Sequence, residues 1–341
     1  MIFSFDAFVT AALFDRSGQA VFALGDGTVR LQSGEGYVTV EAHGGQMGGA
    51  VLSAVIHPSG VGVITGGDDG RVVWSRIEAG EVVATLLAEI KGKWIEHLAA
   101  SPASGLIAFT AGREAHVRDA ADPAFARAFA HEKTVSGLAF DPKGRRLATA
   151  AYGGAQLWWA RIAEQKPQVL KWAGSHIAVT FSPDGKFLVS SMQENQLHGW
   201  RLSDGKDMRM GGYPAKIKSV AFFDKGNLLV TAGANGAVVW PFAGASGPMG
   251  KEAAEIGFSR DSMVVRVAGV ETLPVALAGQ DDGKIWAAHM RTGRIETLKA
   301  EKGSPISALS VSPDGKVLAW GDEDGEAGLL AIPDLSGPRA I

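Results

Sequence analysis

Apolar residues along this chain come in short bursts, and each burst is closed by a polar cluster rich in glycine, aspartate or asparagine. VSGLAF (Val135–Phe140), IAVTF (Ile177–Phe181), IKSVAF (Ile217–Phe222), TVRL (Thr28–Leu31) and AVVW (Ala237–Trp240) alternate or run apolar over lengths that suit a strand. No stretch sustains the 3.6-residue stripe of an amphipathic helix, so the pattern predicts sheet throughout. The closing clusters recur as a phrase: LGDGTVRLQ (Leu24–Gln32), GGDDGRVVW (Gly66–Trp74), AGANGAVVW (Ala232–Trp240) and GQDDGKIWA (Gly279–Ala287). Asp-Gly and Asn-Gly supply the positive-φ positions of a tight hairpin, so each phrase reads as a turn entering a strand.

A second phrase precedes each of these. FDRSGQA at Phe14, IHPSGVG at Ile56, ASPASGL at Ala100, FDPKGRR at Phe140, FSPDGKF at Phe181, FFDKGNL at Phe222 and VSPDGKV at Val311 are reverse-turn corners between antiparallel strands. They lie about forty residues apart, the period of a four-stranded propeller blade. Aligning Val264–Trp286 with Val51–Trp74 restores even spacing where the corner, VETLP, has lost its usual chemistry, and it assigns AEIGFSR (Ala254–Arg260) to the outer strand of the preceding unit. Eight units follow, beginning near Val9, Val51, Trp94, Val135, Ile177, Ile217, Val264 and Ile306. The alternative is seven, with one unit degenerate. The last unit has only three strands of its own, so the otherwise unemployed IFSF (Ile2–Phe5) is expected to serve as its fourth and close the ring. One all-β propeller domain over residues 1–341 is the expectation.

The FSPDGK corner (Phe181–Lys186) and the DDG-x-VVW hairpin resemble the WD40 repeat family, and the resemblance covers nearly the whole chain. It implies a buried network in which a Trp, a Ser or Thr, a hairpin Asp and a loop His are joined. The matching positions are Trp74, Thr65 and Asp69 in one unit and Trp158, Thr149 and His131 in another, with Trp200, Trp240 and Trp286 at the Trp place elsewhere. No unit ends in Trp-Asp, VRD (Val117–Asp119) being the nearest echo. The hairpin Asp is replaced near Glu114, Gly154 and Asn195. Most units also lack the His, so apolar packing must stand in for the network there.

Composition narrows the function. Forty-five glycines in 341 residues suit many tight turns, and the absence of cysteine removes disulfides and thiolate chemistry. A net charge of −3 gives no global field for nucleic acid. The apolar start MIFSFDAFVTAALF has no Lys or Arg and is interrupted by Asp6, unlike a secretory signal. No apolar run reaches membrane-spanning length. A cytoplasmic protein is expected, without membrane or nucleic-acid partners.

The chemistry-bearing residues form no catalytic pattern. There is no H-E-x-x-H; His57, His97, His116, His198 and His289 share no spacing, and His43 reads as a satisfied structural histidine. The acidic run GDEDGE (Gly321–Glu326) lacks the calcium-loop spacing, and hairpin chemistry accounts for it. GGQMGGA (Gly44–Ala50) has no phosphate-loop lysine and reads as a flexible loop. Inner strands are small and apolar apart from Glu96, His97 and Arg266, which disfavours catalysis or metal and small-ligand binding in the central channel, the alternative reading. No cofactor is expected.

What remains is an interaction scaffold binding a protein or peptide on its loops. Membership of a larger complex is compatible with this. The resemblance puts the hairpins and the loops between units on one face. Trp94, Tyr152, Trp172 and Tyr213, with Arg113, Lys171 and Lys216, would converge there as partner-binding residues. The competing account is that each ring packs against its own loop. Enrichment in Lys and Arg from Arg161 to Lys225 reads as a solvated surface, the functional alternative being an acidic partner segment that crosses it.

Overall fold

The computed structural model describes residues 1–44 and 49–337, so residues 45–48 of the glycine-rich loop lie outside the described residues. Among the described residues every regular element is a β-strand except one helical turn, Asp224–Gly226. The hairpins are as sharp as their sequences require. Gly70 sits at φ +79°, and a Cβ there would run into the Ile90 carbonyl oxygen, which leaves glycine as the residue that fits.

The strands pair into seven continuous antiparallel sheets, six of four strands and one of six. Seven is the lower of the two numbers the sequence allowed, and the expectation of eight separate sheets is corrected accordingly. The six-stranded sheet joins two repeats. Arg146–Trp159 doubles back on itself, so that Leu147–Ala150 pair with Gly137–Phe140 while Ala155–Leu157 pair with Gln168–Leu170. The 14-residue strand Gln168–Phe181 is then the outer strand of the fourth repeat in its first half and the inner strand of the fifth in its second, where it pairs with Phe187–Met192. QVLKWAGSHIAVTF contains no proline and no Asp-Gly to interrupt it, so the backbone ladder runs on.

The chain ends meet as expected. Ile2–Ser4 pairs antiparallel with Glu326–Gly328, completing a sheet whose other strands are Val317–Asp322 and Ile306–Val311. Phe3 and Phe5 then cross to the first unit. Phe3 meets Tyr37 edge-on at 4.6 Å between ring centroids, and Phe5 lies 5.4 Å from Phe22. Among the described residues eight buried apolar clusters hold the repeats together, each shared between neighbouring repeats. The cluster with Val9, Phe22, Ala319 and Ala327 is the one across the chain ends.

Polar latches cross the junctions at the inner strands. Hydroxyls donate from Thr10 to Val51 O (3.0 Å), Ser53 to Ile95 O (2.9 Å), Ser136 to His176 O (3.0 Å) and Ser219 to Val267 O (3.3 Å). Arg266 Nε donates to Ser307 O, and Ser307 in turn donates to Val9 O at 2.6 Å, across the closure. These bonds satisfy carbonyls at the inner edge that no further strand covers.

Phe5→Ala should remove about 2–3 kcal/mol, less than a fully buried phenylalanine because Phe5 is half-buried. Urea unfolding of the variant checks this; an unchanged midpoint would mean that the closing strand contributes pairing alone.

Candidate protein-interaction face

In the fourth repeat the expected network is assembled. Trp158 Nε1 donates to Thr149 Oγ1 (3.3 Å), which lies 2.8 Å from His131 Nε2, and His131 Nδ1 donates to the Phe129 carbonyl (2.9 Å). That last bond fixes the neutral tautomer, with Nε2 as acceptor. In the second repeat His43 Nδ1 donates to Asp69 (3.0 Å), while its Nε2 lies 2.8 Å from Thr65 Oγ1.

Trp74, however, is not part of that network. Thr65 and Thr149 are equivalent, reaching Val73 O and Gln156 O, so the residue matching Trp158 is Ser75. A shift of one along a strand moves a side chain to the other face. Trp74 lies half-buried between His57 (3.9 Å, stacked) and the Arg76 guanidinium (3.8 Å), with its Nε1 donating to Val61 O. Ser75 Oγ is buried without a hydrogen-bond partner in its place.

Tyr213 is corrected as well. Expected as an exposed binding residue, it is buried at 8% exposure and takes over the bonding of the loop histidine. Trp240 Nε1 donates to its hydroxyl (2.7 Å), which lies 2.7 Å from Thr231 Oγ1, and Thr231 donates on to Val238 O. Burial raises the Tyr213 phenol to about 12, so it stays a donor at neutral pH. Elsewhere the same loop place carries other groups. Trp172 stacks on buried His198 at 3.9 Å, and its carbonyl accepts from His176 Nε2 at 3.1 Å. Before the last repeat, Lys299 is buried over the Trp320 ring at 5.0 Å and donates to Gly283 O.

With these side chains occupied, the face is defined by what is left. Trp94 and Tyr152 are exposed at 61% and 65%. Arg113 and Lys171 are exposed, whereas Trp172 and Lys216 are half-buried. Tyr152, Lys171 and Trp172 come together around a cleft of about 470 Å³, with Val169 and the Gly153–Gly154 turn. Trp94 and Arg113 lie on loops of the preceding repeats and do not line it.

Charge on this face divides by sector. Hairpin carboxylates are engaged: Asp68 accepts from Ala50 N, Asp281 from Met263 N, Glu194 from Ser175 N and Asp324 from Ser304 Oγ, each tying down the loop that leads into its own repeat. The cations from the third to the sixth repeats differ. Lys91, Lys93, Arg113, Lys133, Lys171, Lys216 and Lys218 make no ion pair among the described residues. Arg113, Lys171 and Lys216 were expected on this face; Lys91, Lys93, Lys133 and Lys218 are marked in the sequence only as members of KGK, HEK and KIK beside a strand start.

The channel side offers less. Arg266 is bound to Ser307 O and Val265 O, and burial keeps His97 neutral with a pKa lowered to about 4. No group of three or more potential metal ligands is gathered among the described residues.

Radial four-stranded antiparallel units closed into a ring by the N-terminal strand define a β-propeller. The family description "WD domain, G-beta repeat" matches residues 125–158, the segment that holds His131, Thr149 and Trp158 together. SEC12-like protein 2 of Arabidopsis thaliana is 27% identical over 171 residues, 49% of this chain and 43% of that protein. Subunit I of eukaryotic translation initiation factor 3 from Emericella nidulans is 24% identical over 217 residues, 60% of this chain and 65% of that protein. The match therefore spans less than two thirds of either relative. The crystal structure of the computationally designed Ika8 protein superposes with a TM-score of 0.74 at 20% identity, covering 96% of this chain and 98% of that one, a likeness of fold alone. The repeat match, the two relatives and the ring of antiparallel sheets support a WD40-type β-propeller.

Trp158→Ala should cost about 3–5 kcal/mol and Trp74→Ala markedly less, about 1–2 kcal/mol, in paired denaturant titrations; equal losses would contradict the one-residue register assigned to the second repeat. Burial lowers the pKa of six histidines, with His57, His97 and His198 brought to about 4. Between pH 6.5 and 4 the unfolded chain therefore binds more protons than the folded one. Stability is full above that window and falls as the pH drops through it. The urea midpoint should decrease from pH 7 to pH 5, and a flat profile would refute the burial of these rings.

Proposed function

We propose that this protein is a non-catalytic interaction scaffold, acting in the cytoplasm, that holds an acidic protein segment across the hairpin-and-loop face of its third to sixth repeats. The observation that carries this reading is the row of seven cations without counterions there, while several hairpin carboxylates of the same face are held by their own loops. Like charges left together on a rigid surface repel one another, and an anionic partner relieves that repulsion while the field speeds its encounter. Exposed Trp94 and Tyr152 add the flat amphipathic area on which interface energy concentrates. WD40 propellers commonly serve as protein-interaction scaffolds, and a relative named as an initiation-factor subunit supports a place in a larger assembly.

Fluorescence anisotropy with a labelled oligoglutamate peptide and an oligolysine control tests the charge reading. Oligoglutamate should bind, with affinity falling as salt rises. Lys133→Glu combined with Lys171→Glu should weaken it about tenfold at unchanged melting temperature. Equal binding of both peptides, or indifference to the double reversal, would overturn the proposal.

A further inference from the structure

The strand that merges two repeats into one sheet also opens the cleft beside Tyr152. Its register jumps from Tyr152–Ser175 directly to Gly154–Lys171, so that Gly153 alone faces Trp172, Ala173 and Gly174. The extra residues bow outward and leave a recess of about 470 Å³, within the range of small ligand sites and large enough for one aromatic side chain with its flanking backbone. The recess is walled by two aromatic residues over a glycine floor. Gly154 holds φ +136°, where a Cβ would strike the Leu170 carbonyl, and Gly153 holds φ +94° beneath open space. A guest ring can therefore approach the backbone closely.

The wall is set in advance. Trp172 is fixed from behind by its stack on His198 and by the bond from His176 to its carbonyl, so little conformational freedom is lost on binding. Tyr152, across from it, is free of hydrogen bonds from its own hydroxyl and largely exposed. No carboxylate lines the recess, and Lys171 stands in its lining, which disfavours a cationic guest such as an alkylated lysine. The neighbouring unpaired cations favour carboxylates on either side of whatever enters.

We infer that the recess between Tyr152 and Trp172 is an anchor pocket for an aromatic side chain within an acidic segment of a protein partner. This rests on the charge reading above and makes it specific: the basic sector attracts the segment, and the recess fixes its register. Aromatic anchors in preformed pockets dominate the energetics of such interfaces.

Three labelled oligoglutamate peptides, with a central phenylalanine, leucine or alanine, separate the aromatic anchor from the charge attraction. The phenylalanine peptide should bind about tenfold more tightly than the alanine one, an amount usual for a buried anchor. Tyr152→Ala should erase that difference while leaving the salt-dependent binding of the alanine peptide in place, and Tyr152→Phe should keep it. Because Tyr152 is exposed, its loss does not endanger folding; near-ultraviolet circular dichroism verifies this. Equal binding of the alanine and phenylalanine peptides, a leucine peptide as tight as the phenylalanine one, or a preference that survives Tyr152→Ala would overturn the aromatic anchor and leave the charge reading standing. Failure of all three peptides to bind would remove both.

Discussion

Each sheet of this protein is apolar on both faces, and neither face can be left in water. That constraint fixes the architecture. A radial sheet must be sandwiched by two neighbours, and a row of such sheets has exposed ends unless it returns on itself. Closure is made at three depths: Ile2–Ser4 on Glu326–Gly328 at the outer edge, Phe3 and Phe5 against Tyr37 and Phe22 in the middle, and Ser307 on Val9 at the inner edge. Hydrophobic burial supplies the drive, while the hydrogen bonds select which chain segment completes the last sheet.

A ring stabilised by shared apolar clusters leaves its upper junctions chemically free. The loop place that holds His131 in one repeat holds His43, Tyr213, Trp172 or Lys299 in others, and each finds its own bonding partners in the following repeat. Histidine, tyrosine and lysine share an apolar body and a polar tip, which is what a site between a buried indole and the loop backbone demands. Where the exchange is incomplete the residue is visible: Ser75 and the Trp286 and Trp320 indole nitrogens are buried without partners. Those orphans are tolerable because packing on either side holds the sheets regardless.

The ring, its period, its closing strand and the outer placement of Ala254–Ile256 were legible in the sequence, because turn chemistry and alternation act within a few residues. Errors arose where identity had to be weighed against register. RVVWS and QLWWA both offer a tryptophan to an alignment, but the hydroxyl bond of the preceding strand makes Ser75, and not Trp74, the equivalent of Trp158. Tyr213 was placed correctly in its loop and given the wrong role, since nothing in GGYPAK reveals that Thr231 and Trp240 wait beneath it. The merging of two repeats was hidden for a different reason: only the absence of a breaker in QVLKWAGSHIAVTF records it.

That absence has a functional side. In several repeats a hairpin carboxylate pins the loop entering the inner strand. At the fourth repeat the hairpin carries Tyr152 and two glycines in place of an acid, the ladder to the next strand jumps from Tyr152–Ser175 to Gly154–Lys171, and Glu194 of the next hairpin accepts from Ser175 N as other hairpin acids do from their own loops. The uninterrupted strand thus joins two repeats in one sheet, carries Trp172 onto a histidine and leaves a recess open among unpaired lysines. Trp172 is bound to the core by this arrangement, whereas Tyr152 is not, so the two walls of the recess answer to different forces: one to the fold, the other to whatever the recess holds.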